Sequence, residues 1–186
     1  MKILVYLFVT LLFITIVASP VVASSLSLQT DEAKIAVGND QSVAIVLDTN
    51  EKETVGADIV VTYDFQKLKL KEITEGLMFS QYVKENNDKE GKVMISGVID
   101  PAKKSYKGKD TFATLKFETL KEGKADVRIE FSEGSRNDSN IADRNGNDIL
   151  TSVENQEIQI VGKGYSYNII EAIKKFLRNF NKRKAI

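Results

Sequence analysis

From Gln41 to Val161 the chain alternates apolar and polar residues with a period of two. This is the pattern of β-strands with one dry face and one wet face. An amphipathic helix does not produce it, because helical apolar positions recur every three to four residues. Val43, Ile45 and Leu47 alternate with Ser42, Ala44 and Asp48, and Ile59, Val61 and Tyr63 alternate with Asp58, Val60 and Thr62. Leu68 and Leu70 sit between Lys67, Lys69 and Lys71, while Val93 and Ile95 face away from Lys92, Met94 and Ser96. Ala113, Leu115 and Phe117 oppose Thr114, Lys116 and Glu118; Ala125, Val127, Ile129 and Phe131 oppose Asp126, Arg128 and Glu130. A last strand is expected over about Gln156 to Val161 and a first one from near Leu26. Turn residues fall between the runs: Gly38-Asn39-Asp40, Asn86-Asn87-Asp88, Gly108, Glu122-Gly123 and Asn145-Gly146. Eight or nine short strands with turns between them predict an all-β, two-sheet sandwich.

The flanks differ from this middle. Ile3 to Val17 is a run of apolar residues and two threonines behind Lys2, followed by Pro20 and Val21-Val22-Ala23. That order reads as a secretory signal over 1–23 cut after Ala23, so the protein is expected to be secreted, extracellular or at the cell surface. An uncleaved anchor is the alternative, since an apolar stretch of about 20 residues spans a bilayer. After Gly162, residues Ile169, Ile170, Ile173, Phe176, Leu177 and Phe180 recur at helical spacing, predicting a short amphipathic helix in a tail over 163–186. The tail carries seven Lys and Arg against Glu171, a net +6, whereas 24–162 holds 18 basic and 25 acidic residues, a net −7. An acidic domain argues against nucleic acid as partner. The basic tail suits an anionic membrane surface, a partner, or packing back on the sandwich.

The chain has no Cys and no His, so disulfide staples and all chemistry built on imidazole or thiolate are excluded. A carboxylate pair such as Asp58 and Asp64 is the remaining catalytic option, and acidic residues on wet strand faces are normally solvated. No enzymatic activity and no cofactor are expected. Asp143, Asn145, Asn147 and Glu154 fill positions 1, 3, 5 and 12 of an EF-hand-like calcium loop, but Asp148 stands where that loop needs Gly. A plain turn at Asn145-Gly146 is the competing reading. Asn137-Asp138-Ser139 has the form of a glycosylation acceptor in an exposed loop. With no Trp, a sugar-stacking site would fall to Tyr82, Tyr106 and a few Phe residues.

The segment Val55-Gly56-Ala57-Asp58-Ile59-Val60-Val61-Thr62-Tyr63-Asp64, then Lys67-Leu68-Lys69-Leu70 and Gly76-Leu77, resembles the early part of cohesin domains, with Phe65 where that family carries Pro. The resemblance continues through Gly91 to Gly97, through Gly108 to Phe117 with Glu122-Gly123-Lys124-Ala125, and through Asp143 to Ile149, covering about Leu26 to Val161. It implies a nine-stranded jelly-roll sandwich related in fold to carbohydrate-binding modules. The resemblance further implies that the domain binds the calcium-loaded dockerin module of another protein, as cohesins do in assemblies that degrade polysaccharides. It also implies that Asp58 hydrogen-bonds the partner from one sheet face. Alternation places Thr62 with Asp58, and Lys92, Met94, Ser96, Asp126 and Arg128 are the outward candidates on strands expected to share that sheet. The expected partner is a dockerin-type or other surface protein. The alternatives are direct polysaccharide binding on the same fold and a structural surface or adhesin domain.

Overall fold

A computed structural model describes residues 24–163 except positions 33, 101, 103 and 104. The expected signal over 1–23 and the expected tail helix lie outside the described residues. One sheet contains β1 (Ser24–Thr30), β3 (Asp40–Asp48), β5 (Leu68–Glu75), β8 (Lys109–Thr119) and β11 (Leu150–Glu154), in the order β11-β1-β3-β8-β5. The other contains β2 (Lys34–Ala36), β4 (Gly56–Tyr63), β6 (Gln81–Asn87), β7 (Lys92–Val98), β9 (Gly123–Ile129), β10 (Asn140–Ala142) and β12 (Gln156–Val161). Its order is β2-β12-β9-β4-β7-β6, with β10 also pairing to β4. The all-β sandwich is as expected, but it has twelve strands where nine were expected. The residue pattern places eight strands, and the four it leaves out are two short pieces (β2, β10), a nearly all-exposed strand (β6), and a strand with one buried residue (β11).

The two inner faces meet in a single core. Ile59, Val61, Val93, Ile95, Ala125 and Val127 come from the seven-stranded sheet, and Val43, Ile45, Leu47, Leu115 and Phe117 from the other. Each of these is fully buried, in agreement with the period-two reading. In β8 the register slips, so that Ile45 pairs with Ala113 and Val46 with Thr111. Phe112 is the extra residue of this bulge, and it enters the core beside Ala113. Its ring meets Phe79 at 5.7 Å and Tyr82 at 5.3 Å between centroids. Gly97 leaves room for this cluster: a Cβ there would lie 2.7 Å from the Phe79 ring and 2.8 Å from the Phe112 ring.

Several buried hydroxyls join places where strands end. Thr54 donates to the Ala142 carbonyl at 2.8 Å, and Thr119 to the Ala36 carbonyl at 2.8 Å. Thr49 accepts from the Gly108 amide at 2.9 Å. These side chains satisfy backbone groups that the sheet ladders leave over.

Candidate partner-binding face

β4 runs through the middle of the seven-stranded sheet. Ala57, Ile59, Val61 and Tyr63 point into the core, so Asp58, Val60 and Thr62 point out. The register with β7 sets Asp58 opposite Ser96, Val60 opposite Met94 and Thr62 opposite Lys92. On the other side Thr62 lies opposite Arg128, and Asp126 shares the outward face of β9. Directly opposed residues on neighbouring strands share a face. The structure therefore gathers Asp58, Thr62, Lys92, Met94, Ser96, Asp126 and Arg128 on one outer surface.

Charge divides this surface. On the β9 side the ions are paired with one another: Lys92 with Glu130 at 2.8 Å, Arg128 with Asp126 at 3.1 Å, and Lys124 with Glu157 at 2.8 Å. Asp58 is exposed, and its carboxylate has no hydrogen bond or ion pair among the described residues. Next to it the face becomes apolar. Val83 on β6 lies opposite Ser96, and Val98 lies opposite Gln81. These two valines are 62% and 48% exposed, and Met94 is half-buried between the strands that carry Val60 and Glu85. Sequence reasoning missed Val83 because β6 was not recognised as a strand.

Val60 points outward and is nevertheless buried, because the segment between β9 and β10 folds over it. Here β4 changes neighbour from β9 to β10, and the ladder has a gap. Ser139 fills it: its buried hydroxyl oxygen accepts from the Val60 amide at 2.9 Å, while its own amide donates to Glu130. Beside this junction lies a shallow depression of about 210 Å³ lined by Asp58, Val60, Met94, Ser96, Arg136 and Asn140. In the tripeptide Asn137-Asp138-Ser139, Asn137 is exposed as expected of an acceptor loop, whereas Ser139 is a buried structural residue. Ser139→Ala should leave the Val60 amide without a partner and lower stability by about 1–3 kcal/mol in a denaturant titration.

The calcium-loop candidates form a turn closed on itself. The Asp143 carboxylate accepts from the amides of Asn145 at 2.7 Å and Asn147 at 2.9 Å, and from the Asn147 side chain at 3.0 Å. Gly146 takes a positive φ of 79° in this turn. Glu154 belongs to β11 in the other sheet. No group of three or more acidic residues among the described residues is placed to hold a metal. The bonds from Asn147, then Asn145, hold the Asp143 carboxyl below its usual range. A carboxyl lowered on folding stabilises above its unfolded pKa, and this is lost as pH falls through the folded value. The Asn145 and Asn147 amides should therefore lose their protection from exchange in strong acid. Asp143→Ala should abolish that protection at every pH, measured by hydrogen-exchange NMR against the rate of an unprotected amide at the same pH.

The imagined carboxylate pair does not exist. Asp58 and Asp64 are six residues apart along β4 and its end, a span of roughly 20 Å, and Asp64 is salt-bridged to Lys67. Glycosidase carboxylates work within about 10 Å of each other. Nor do Tyr82 and Tyr106 offer a flat platform for sugar. Tyr82 is half-buried against Phe79 and Phe112, and burial pushes its phenol up to about 12. Tyr106 leans on Phe79 at 6.5 Å, and its pKa too is raised by burial.

No family model matches the chain, and no curated protein matches it. Solved structures do. A type II cohesin domain from the cellulosome of Acetivibrio cellulolyticus is 20% identical, with a TM-score of 0.61 over 73% of this chain and 95% of that one. A type I cohesin from Clostridium thermocellum, solved in complex with a dockerin, is 16% identical, with a TM-score of 0.62 over 75% of this chain and 99% of that one. The fold is that of a cohesin module. A cohesin module from a Clostridium perfringens family 33 glycoside hydrolase superposes equally, at 12% identity and a TM-score of 0.61 over 76% of this chain and 98% of that one. Low identity at nearly full coverage of those chains means that the cohesin fold is shared as a whole sandwich, while most residues differ.

Proposed function

We propose that the chain is a non-catalytic, exported module that binds a dockerin-type protein through the outer face of its seven-stranded sheet. The observation that carries this reading is the state of that face. Asp58 stands exposed and, among the described residues, unpaired beside the exposed Val83 and Val98 and the half-buried Met94, while the ions farther along the sheet are already paired. Apolar surface with a few unpaired polar groups is the makeup of an interface core, and self-paired ions make up a rim. Cohesins of the same fold have been solved with dockerins, including one from Clostridium thermocellum and one from Acetivibrio cellulolyticus scaffoldin B. Binding of this kind fits a protein that leaves the cytoplasm behind the apolar segment at 1–23.

The test is capture from the secreted and surface fraction of the source organism, in calcium and in chelator, beside a polysaccharide panel. A dockerin-containing protein held only in calcium supports the proposal, because calcium folds such a partner. Retention on polysaccharide with no protein partner overturns it. Asp58→Ala should weaken capture and leave the melting temperature unchanged. A loss of folding would instead make Asp58 a structural residue.

A further inference from the structure

We propose that two copies of this chain join edge to edge through β6, making one continuous sheet from their two seven-stranded sheets. Four strands end the sheets described here: β2, β6, β5 and β11. Natural edges are blunted by shortness, bulges, charge or proline, because unpaired backbone invites another strand. β2 has three residues, and β11 has five with a register break where it meets β1. β5 breaks register between Leu70 and Glu72 and is ringed by charge at Lys69, Lys71 and Glu72. β6 differs from all three. It pairs with β7 over seven residues with no register shift, and it has no proline. Lys84, the charge placed to guard it, is folded back onto Glu75 of β5 at 2.7 Å.

The direction of its free backbone follows from its neighbours. The Ile99 amide donates to Val55, and the Tyr63 amide to Gly91, which puts the odd-numbered residues of β7 in hydrogen-bonded pairs with β4. Ser96 and Met94 then bond toward β6, to their partners Val83 and Glu85. Tyr82, Lys84 and Asn86 are left with backbone groups directed away from the sheet.

A twofold axis perpendicular to the sheet at Val83 matches this edge to itself. Tyr82 of one copy and Lys84 of the other exchange both backbone hydrogen bonds, twice over. Val83 meets Val83 as the close, non-bonded pair, and Gln81 meets Glu85. A register two residues further along would set Lys84 against Lys84, and like charges directly opposed are destabilising. Antiparallel pairing also keeps both outer faces on the same side. Two candidate partner faces would then lie side by side and could act together on a partner with two copies of its own module. The edge pairing does not depend on what those faces bind.

Sedimentation velocity of the full chain over a concentration series tests the pairing. The expected result is a shift from monomer to twice the monomer mass. Val83→Glu sets two carboxylates together at the axis, and Lys84→Pro removes an outward amide while leaving the bonds to β7 in place. Both variants should stay monomeric where the parent chain is dimeric, and should melt like the parent at concentrations where the parent is monomeric. If Lys84→Pro fails to fold, Val83→Glu decides. A chain that is monomeric throughout overturns the proposal, and so does a dimer that survives Val83→Glu.

Discussion

Phe112→Ala is expected to cost about 3–5 kcal/mol of stability, a large part of the roughly 5–15 kcal/mol that holds a domain together. The ring is fully buried and belongs to a bulge that turns two successive residues, Phe112 and Ala113, toward the core. It touches Phe79 and Tyr82, and Gly97 has no side chain to move into the space. The bulge also fixes the backbone, since the Phe112 carbonyl accepts from the Gly76 amide at 2.8 Å. Little around the cavity can collapse to fill it, so the cost should fall at the upper end of the range. Guanidinium unfolding followed by fluorescence or circular dichroism measures it. A loss below about 1 kcal/mol would mean that this end of the sandwich is far looser than its packing implies.

Met94→Asp should have the opposite profile, with folding retained and partner binding lost. Met94 lies on the outer face between β4 and β6, opposite Val60 and Glu85, so a carboxylate there keeps access to water in the free chain. In a complex the same carboxylate would be buried among apolar groups close to Asp58. Truncating a central interface residue typically costs about 2 kcal/mol or more, and introducing a charge adds desolvation to that. The expected loss is at least about 30-fold in Kd, measured by calorimetric titration with the captured partner in calcium. A Kd that stays within twofold of the parent would move the contact surface off β7.

The central strands could be read from residue types because each carries apolar side chains at alternate positions along its length. Asp58, Thr62, Met94, Ser96 and Arg128 fell on one face for the same reason: once two strands share a sheet, parity alone decides the side. β6 escaped because its inward positions are Tyr82, Lys84 and Asn86, so only one of three is apolar, and because Asn86-Asn87-Asp88 reads as a turn. The chain does turn there, a step later at Asp88 to Gly91, where Gly91 takes a φ of 61°. β10 is three residues long, too short to show a period. Ser139 carried a misleading signal, since a serine two residues after an asparagine suggests glycosylation. Its function comes from a gap between β9 and β10 that no local pattern reveals. Asp143 was weighed for calcium by its spacing, whereas its oxygens are used by the amides of its own turn.

Methionine methyl NMR tests the central claim most directly, because the chain has three methionines and two of them report on opposite environments. Met94 lies on the outer face of the seven-stranded sheet, and Met78 is buried in the core. Addition of the calcium-loaded partner should shift or broaden the Met94 methyl resonance and leave that of Met78 in place. Binding that leaves Met94 unmoved would contradict the account and direct attention to another surface of the sandwich.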